Sequence, residues 1–177
     1  MAIRGQDDLE RVVRDAVAQA EITDVHTHLY PPAFGDLLLW GIDEVVNYHY
    51  LVAEVFRYTD LSYEEFWRMS KREQADLIWR HLFEHNSPYS EACRGILTTL
   101  QTLGLDVGAR DLAAYRRYFQ DKTVEDYVTQ VFDVARIKQV VMTNDPFDER
   151  EREWWVGDYE ADPRFRAALR LDQLLNT

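Results

Sequence analysis

Ile22-Thr23-Asp24-Val25-His26-Thr27-His28-Leu29 is a short β-favouring run that closes on two histidines spaced i, i+2. A strand has a side-chain period of two, so both imidazoles are expected to leave the same face. Asp24 shares that parity one step deeper. A divalent metal takes such an arrangement: two neutral ring nitrogens converging on a point, with carboxylates or water completing the shell. The competing reading is a strand end with two solvated histidines, and His-x-His alone does not separate the two. The surroundings do more. The run follows a leading amphipathic segment, and Tyr30-Pro31-Pro32 breaks the chain directly after it. The carboxyl end of a parallel strand is where α/β barrels place their catalytic residues.

The 177 residues suggest one domain large enough for a core. Formal net charge is −12, with 32 acidic against 20 basic residues. No Lys/Arg cluster is dense enough to follow a phosphate backbone, so nucleic acid is not an expected partner. A small acidic substrate would need local positive groups to overcome the field of the whole chain. The single cysteine, Cys93, excludes an internal disulfide framework and reads as a buried structural thiol in a reducing compartment. The first residues do not form a signal peptide, and no apolar run is long enough to span a bilayer. A cytoplasmic protein without membrane partners is expected.

Working outward, residues 7–20 carry Leu9, Val12, Val13, Ala16, Val17 and Ala20 on one helical stripe, with Asp7 or Asp8 as cap. Strand 22–26 and a Pro/Gly-containing loop to Gly41 follow. A helix is expected from about Asp43 to Tyr58, with Val45, Val46, His49, Val52, Val55 and Phe56 along it. Ser62-x-x-Glu65 and Ser70-x-x-Glu73 match the capping box. Ser87-Pro88 reads as a helix start. Gly104 stops the helix bearing Ile96, Leu97, Leu100 and Leu103, and Asp111 caps the next. Thr123-x-x-Asp126 opens a last helix whose Tyr127, Val128, Val131, Phe132 and Ala135 face inward. The period then changes. Residues 138–143 form a β run ending in Asn144-Asp145-Pro146. An acidic, Trp-containing loop follows, and residues 165–172 read as a third strand. Each strand closes on polar chemistry: His26 and His28, Asn144 and Asp145, Arg170 and Asp172. The expected fold is α/β, the front part of a (β/α)8 TIM-type barrel with a long helical insertion after the first strand. Residues 1–177 are read as a single, incomplete barrel domain, the insertion running roughly over 43–135.

These motifs, in this order, resemble the uronate isomerase family of the amidohydrolase superfamily. The resemblance rests on residues 24–29, Tyr48-His49-Tyr50-Leu51, residues 70–79, residues 91–106, Thr143-Asn144-Asp145-Pro146 and Arg166 through Asp172. It spans nearly the whole chain and covers the N-terminal portion of such an enzyme. It implies a metal-dependent barrel that interconverts aldose and ketose forms of hexuronates, D-glucuronate with D-fructuronate and D-galacturonate with D-tagaturonate. It places a divalent metal, commonly zinc, on His26 and His28, weakly held or absent in this chain. It assigns catalytic work to His49, Tyr50 and Arg170, with Arg166 as the rival arginine. A hexuronate partner and a homo-oligomer follow from it. Tyr48 stands where the family often has an acidic residue, and Asn144 where aspartate is common, which points to a divergent subgroup.

The reaction moves a proton between carbon 2 and carbon 1 through a cis-enediol. It needs a base, an acid and a stabiliser of developing negative charge. A histidine titrates near neutrality, so His49 suits acid/base work, although on an apolar helix stripe it also suits the core. Tyr50 can donate to a sugar oxygen, or simply pack. Arg170 can grip a carboxylate or an enediolate bidentately, or sit in a surface ion pair. His81 and His85, i, i+4 on a helix, read as a solvated face rather than a metal pair. Asp145-Pro146 either caps a loop or orients the site. Two other readings stay open: a related metal-dependent hydrolase, and a non-catalytic fragment. Three strands cannot close an eight-stranded barrel, so the isolated chain is expected to be inactive.

Overall fold

The computed structural model describes residues 3–145, 147–157 and 162–176. Pro146 lies outside the described residues, as does the side chain of Asn144. The architecture is mixed helix and sheet, in two compact units: residues 1–34 with 128–177, and residues 35–127.

The first unit holds a three-stranded parallel sheet in the order β1-β2-β3, made of Ile22–Asp24, Ile137–Asn144 and Phe165–Leu169. Thr23 pairs with Gln139 and Asp24 with Val140, while Val140 also faces Phe165 and Asn144 faces Leu169. Parallel pairing sends all three carboxyl ends to one edge. Val140 and Met142 are buried on β2, and Phe132 packs against Phe165 at 5.3 Å. Helix α1, Gln6–Gln19, opens the unit. Its cap is Gly5, at φ 115, not Asp7 or Asp8; the Asp8 carboxylate instead reaches back to accept from the Arg4 amide. The apolar stripe of α1 stays exposed, with Val17 at 71%. Arg136, at φ 54, ties the chain entering β2 to α1 and β1: its guanidinium donates to the Gln19 carbonyl and its own carbonyl accepts from Ile22.

The expected strand to His26 stops at Asp24. The Asp24 carboxylate accepts from the His26 amide at 3.0 Å, an Asx turn that draws the backbone off the ladder. The third strand likewise ends at Leu169, and Asp172 begins a short helix, Asp172–Leu175. The acidic loop before it contains a helix, Glu149–Val156, capped by Asp148, whose carboxylate accepts from the amides of Arg150 and Glu151.

The second unit is helical. The helix expected over 43–58 is two: α2, Ile42–Val46, and α3, His49–Val55. The Asn47 amide causes the break by donating to the carbonyls of Asp43 and Lys71, at 2.8 Å each, in competition with the helix ladder. Helices α4, Tyr63–Arg68, and α5, Lys71–Trp79, start on the two expected capping boxes. A π-helical turn, Arg80–Glu84, extends α5. Helix α6, Glu91–Thr102, is capped by Ser90 rather than opened by Ser87-Pro88; the Ser90 hydroxyl accepts from the Cys93 amide, while Ser87 is spent on a tight turn to Tyr89. Gly104, at φ 83, closes α6 with amide bonds from Gly104 to Gln101 and from Leu105 to Leu100, a Schellman pattern. Helix α7, Leu112–Gln120, takes Asp111 as cap. Helix α8, Val124–Ala135, leads on to β2 and begins with Thr123 accepting from the Asp126 amide; Tyr127, Val128 and Phe132 are buried, and Ala135 is exposed. Trp79, Phe83 and Tyr115 meet in the core of the second unit, Trp79 stacked on Phe83 at 4.2 Å and edge-on to Tyr115.

Candidate functional site

Parallel pairing brings the polar strand ends of the first unit to one edge. His26 and His28 leave β1 there, Asp145 leaves β2, and Arg170 leaves β3. The histidine rings lie 6.0 Å apart between centroids at 82°, and both residues are exposed. Because the strand ends at Asp24, the Asx turn and the loop beyond it set this approach, not strand alternation. The Thr27 hydroxyl accepts from the Leu29 amide and shapes that loop.

The pair supplies two nitrogens to a metal. Among the described residues no group of three or more His, Cys, Asp or Glu side chains could hold one. The donor chemistry suits a zinc-type ion, and the donor number is short of the three protein ligands usual at catalytic sites.

Arg170 follows the last residue of β3 and is exposed. Its Nε donates to the Asp172 carboxylate at 2.6 Å, which holds the guanidinium charged and the carboxyl below its usual range. Asp145 adds a smaller attraction to Arg170. Arg166 lies within β3, opposite Val141, and is exposed.

His49 and Tyr50 belong to the second unit. The break at Asn47 places them in the first turn of α3, both exposed, and not on the inward stripe, which is Leu51, Val52 and Val55. Tyr48, His49 and Tyr50 form one aromatic cluster: the His49 ring is 4.3 Å from Tyr48 and 4.2 Å from Tyr50. His81 and His85 approach to 6.0 Å across the π-helical turn. Cys93 is fully buried, and burial pushes its thiol up, as expected of an inert structural cysteine.

Sequence reasoning missed a cluster beside the strand ends. Phe34, fully buried, packs on Tyr30, Trp154 and Trp155 at 5.2–5.8 Å. Glu151 is 5% exposed, and its carboxylate accepts from the Asp145 amide at 2.8 Å. Burial, then the charges of Glu151 and Asp148, push the Tyr30 phenol up. The legible signal was Asp148-x-x-Glu151, a cap residue followed three positions later by glutamate.

Clefts in the second unit lie elsewhere. One of about 180 Å³ is lined by Trp40, Asp43, Arg72, Arg116 and Phe119, none of them a residue singled out above for chemistry. No helix among the described residues is long and apolar enough to cross a membrane.

No family model and no curated protein matches the chain. Among solved structures, it is similar to the crystal structure of a uronate isomerase from Bacillus halodurans C-125, at 58% sequence identity and a TM-score of 0.94. The match covers 99% of this chain and 42% of that one, so the chain spans less than half the length of this relative.

Proposed function

We propose, for a chain that belongs to the uronate isomerase family, that it forms part of an enzyme interconverting aldose and ketose hexuronates. One observation carries this reading: 58% identity to a uronate isomerase sustained over 99% of the chain. The three parallel strands would be part of an eight-stranded barrel, residues 1–177 one incomplete domain of it, and roughly 43–135 its helical insertion. The setting is a cytoplasmic homo-oligomer of carbohydrate metabolism.

His26 and His28 would hold a divalent metal such as zinc, with a third ligand from outside the described residues. When bound, the metal would polarise a sugar oxygen. His49 is assigned the proton: it takes it from carbon 2 of the aldose and returns it to carbon 1, while the hydroxyl proton passes from O2 to O1. Tyr50, its ring 4.2 Å from that of His49, donates to a substrate hydroxyl. Arg170 answers the substrate carboxylate or the enediolate, exchanging its exposed pairing with Asp172 for the ligand. An exposed ion pair of this kind is worth little, so the exchange is cheap.

The test is hexuronate turnover by the full-length protein that contains these residues, with glucuronate and galacturonate set against ester and lactone substrates. Arg170→Ala is expected to lower uronate turnover by roughly 10²-fold, the usual cost of losing one electrostatic stabiliser. Near-normal turnover in that variant, or ester hydrolysis without isomerisation, would overturn the assignment.

A further inference from the structure

A carboxylate taken out of water is expensive unless it is paired or hydrogen-bonded, so a buried one is expected to have a task. Gln74 and Glu151 are the buried polar or charged side chains among the described residues. Gln74 donates to the Phe66 carbonyl at 3.0 Å and serves the helical unit. Glu151 is different. It occupies the first turn of the helix Glu149–Val156, where the amino-terminal dipole favours its charge. A glutamate at this position normally bonds the cap residue's own amide. Here the side chain reaches past the cap, Asp148, and accepts from the amide of Asp145, at the carboxyl end of β2.

Two further bonds hold Asp145. The Asp145 carbonyl accepts from the Asp148 amide at 3.2 Å, and its carboxylate accepts from the Phe147 amide at 2.9 Å. The Asp145 amide itself donates to Glu151. The turn adjoins the end of β3, since Asn144 pairs with Leu169 and Asp145 and Arg170 are the next residues of the two strands. Trp154 and Trp155 of the same helix pack on the buried Phe34.

We propose that Glu151 is a positioning residue: its buried carboxylate fixes the Asp145 turn at the end of β2, and through that turn the place of Arg170 at the neighbouring strand end. Its catalytic consequence rests on the isomerase reading; its structural half does not. Glu151→Ala removes the acceptor. Glu151→Gln keeps an amide oxygen in its place without the charge.

The experiment measures three things in the full-length protein, with far-UV circular dichroism confirming that each variant is folded. They are hydrogen exchange of the Asp145 amide, the Arg170 Nε–H resonance, and hexuronate kcat and KM. In Glu151→Ala, Asp145 should exchange at least ~5-fold faster, since a net hydrogen bond is worth about 1 kcal/mol or more. The Arg170 resonance should move, and kcat should fall with little change in KM. Glu151→Gln should recover the protection and the Arg170 resonance. If Glu151→Ala leaves Asp145 protected, or frees it without moving Arg170, the proposal is wrong. Absence of turnover in the wild type would defeat the isomerase reading alone, because exchange and the Arg170 signal would still decide the positioning role.

Discussion

At Ser70, two bonds of about 3 Å start a helix. The hydroxyl accepts from the Glu73 amide at 3.3 Å, and the Ser70 amide donates to the Glu73 carboxylate at 2.8 Å. Ser62 and Glu65 repeat the pattern at 3.2 and 2.9 Å. Bonds to the serine hydroxyl and amide hold both glutamates below the usual carboxylate range. A folded-state value lower than the unfolded one stabilises the protein above the unfolded pKa, and that stability is lost as pH falls through the folded value. Stability should therefore decline below about pH 4, where a free glutamate titrates, and the decline should be shallower in Ser70→Ala. At neutral pH, Ser70→Ala should cost about 1 kcal/mol in urea denaturation, the usual value of a helix cap. An unchanged midpoint would show that the box contributes nothing here. Asn47 shows a residue acting in the other direction: its amide ends one helix and moves His49 from an expected core stripe to an exposed first turn.

Between elements, Arg116 is the main polar tie of the helical unit. Its side chain is only 10% exposed and pairs at 2.7 Å with both Asp43 of α2 and Asp76 of α5. It also donates to the Arg72 carbonyl. Three helices thus meet on one guanidinium carried by α7. Removing one member of a buried pair strands the others. The aspartates are 27% and 43% exposed, so water offsets part of that cost. Arg116→Met is expected to destabilise the protein by about 2 kcal/mol, with Asp43→Asn less damaging because Asp76 remains. A loss under ~0.5 kcal/mol in calorimetry or denaturant melts would show that the aliphatic packing of α5 and α7 suffices. The sheet depends on polar ties of a different kind: Asx and cap bonds at Asp24, Asp145 and Asp148 decide where strands stop.

For the molecule as a whole, the three-stranded parallel sheet leaves β1 and β3 as edges among the described residues, with Ile22 at 47% and Leu169 at 64% exposure. Parallel sheets are normally covered on both faces, and an unprotected sheet edge is a template for association. The exposed stripe of α1 adds to the uncovered apolar surface. Residues 1–177 alone, given zinc and glucuronate, are expected to form no ketose and to self-associate in size-exclusion chromatography. Two histidines should hold zinc only weakly by calorimetry. Robust turnover by this chain as a monomer would contradict the incomplete-barrel account.

Much of this was decided locally and so could be read from sequence. The capping boxes at Ser62 and Ser70, the stop at Gly104 and the caps at Asp111 and Thr123 depend on residues within a few positions of one another. The three strands and their polar ends follow from period and composition, and the family from the motifs at 24–29, 48–51 and 143–146. What escaped were the competitions. Hydrophobic period favoured one helix over 43–58, and only the Lys71 carbonyl, 24 residues from Asn47, tips the balance toward a break. Alternation carried β1 to His26 and β3 to residue 172, but side-chain oxygens of Asp24 and a new helix start at Asp172 took the backbone away. The helix Glu149–Val156 lacks a clean apolar stripe; its Trp side chains find their partner in Phe34, more than a hundred residues earlier. Local hydrogen bonding is written in neighbouring residues, whereas burial of Glu151 and the placing of Asp145 and Arg170 at adjacent strand ends exist only once distant parts of the chain are brought together.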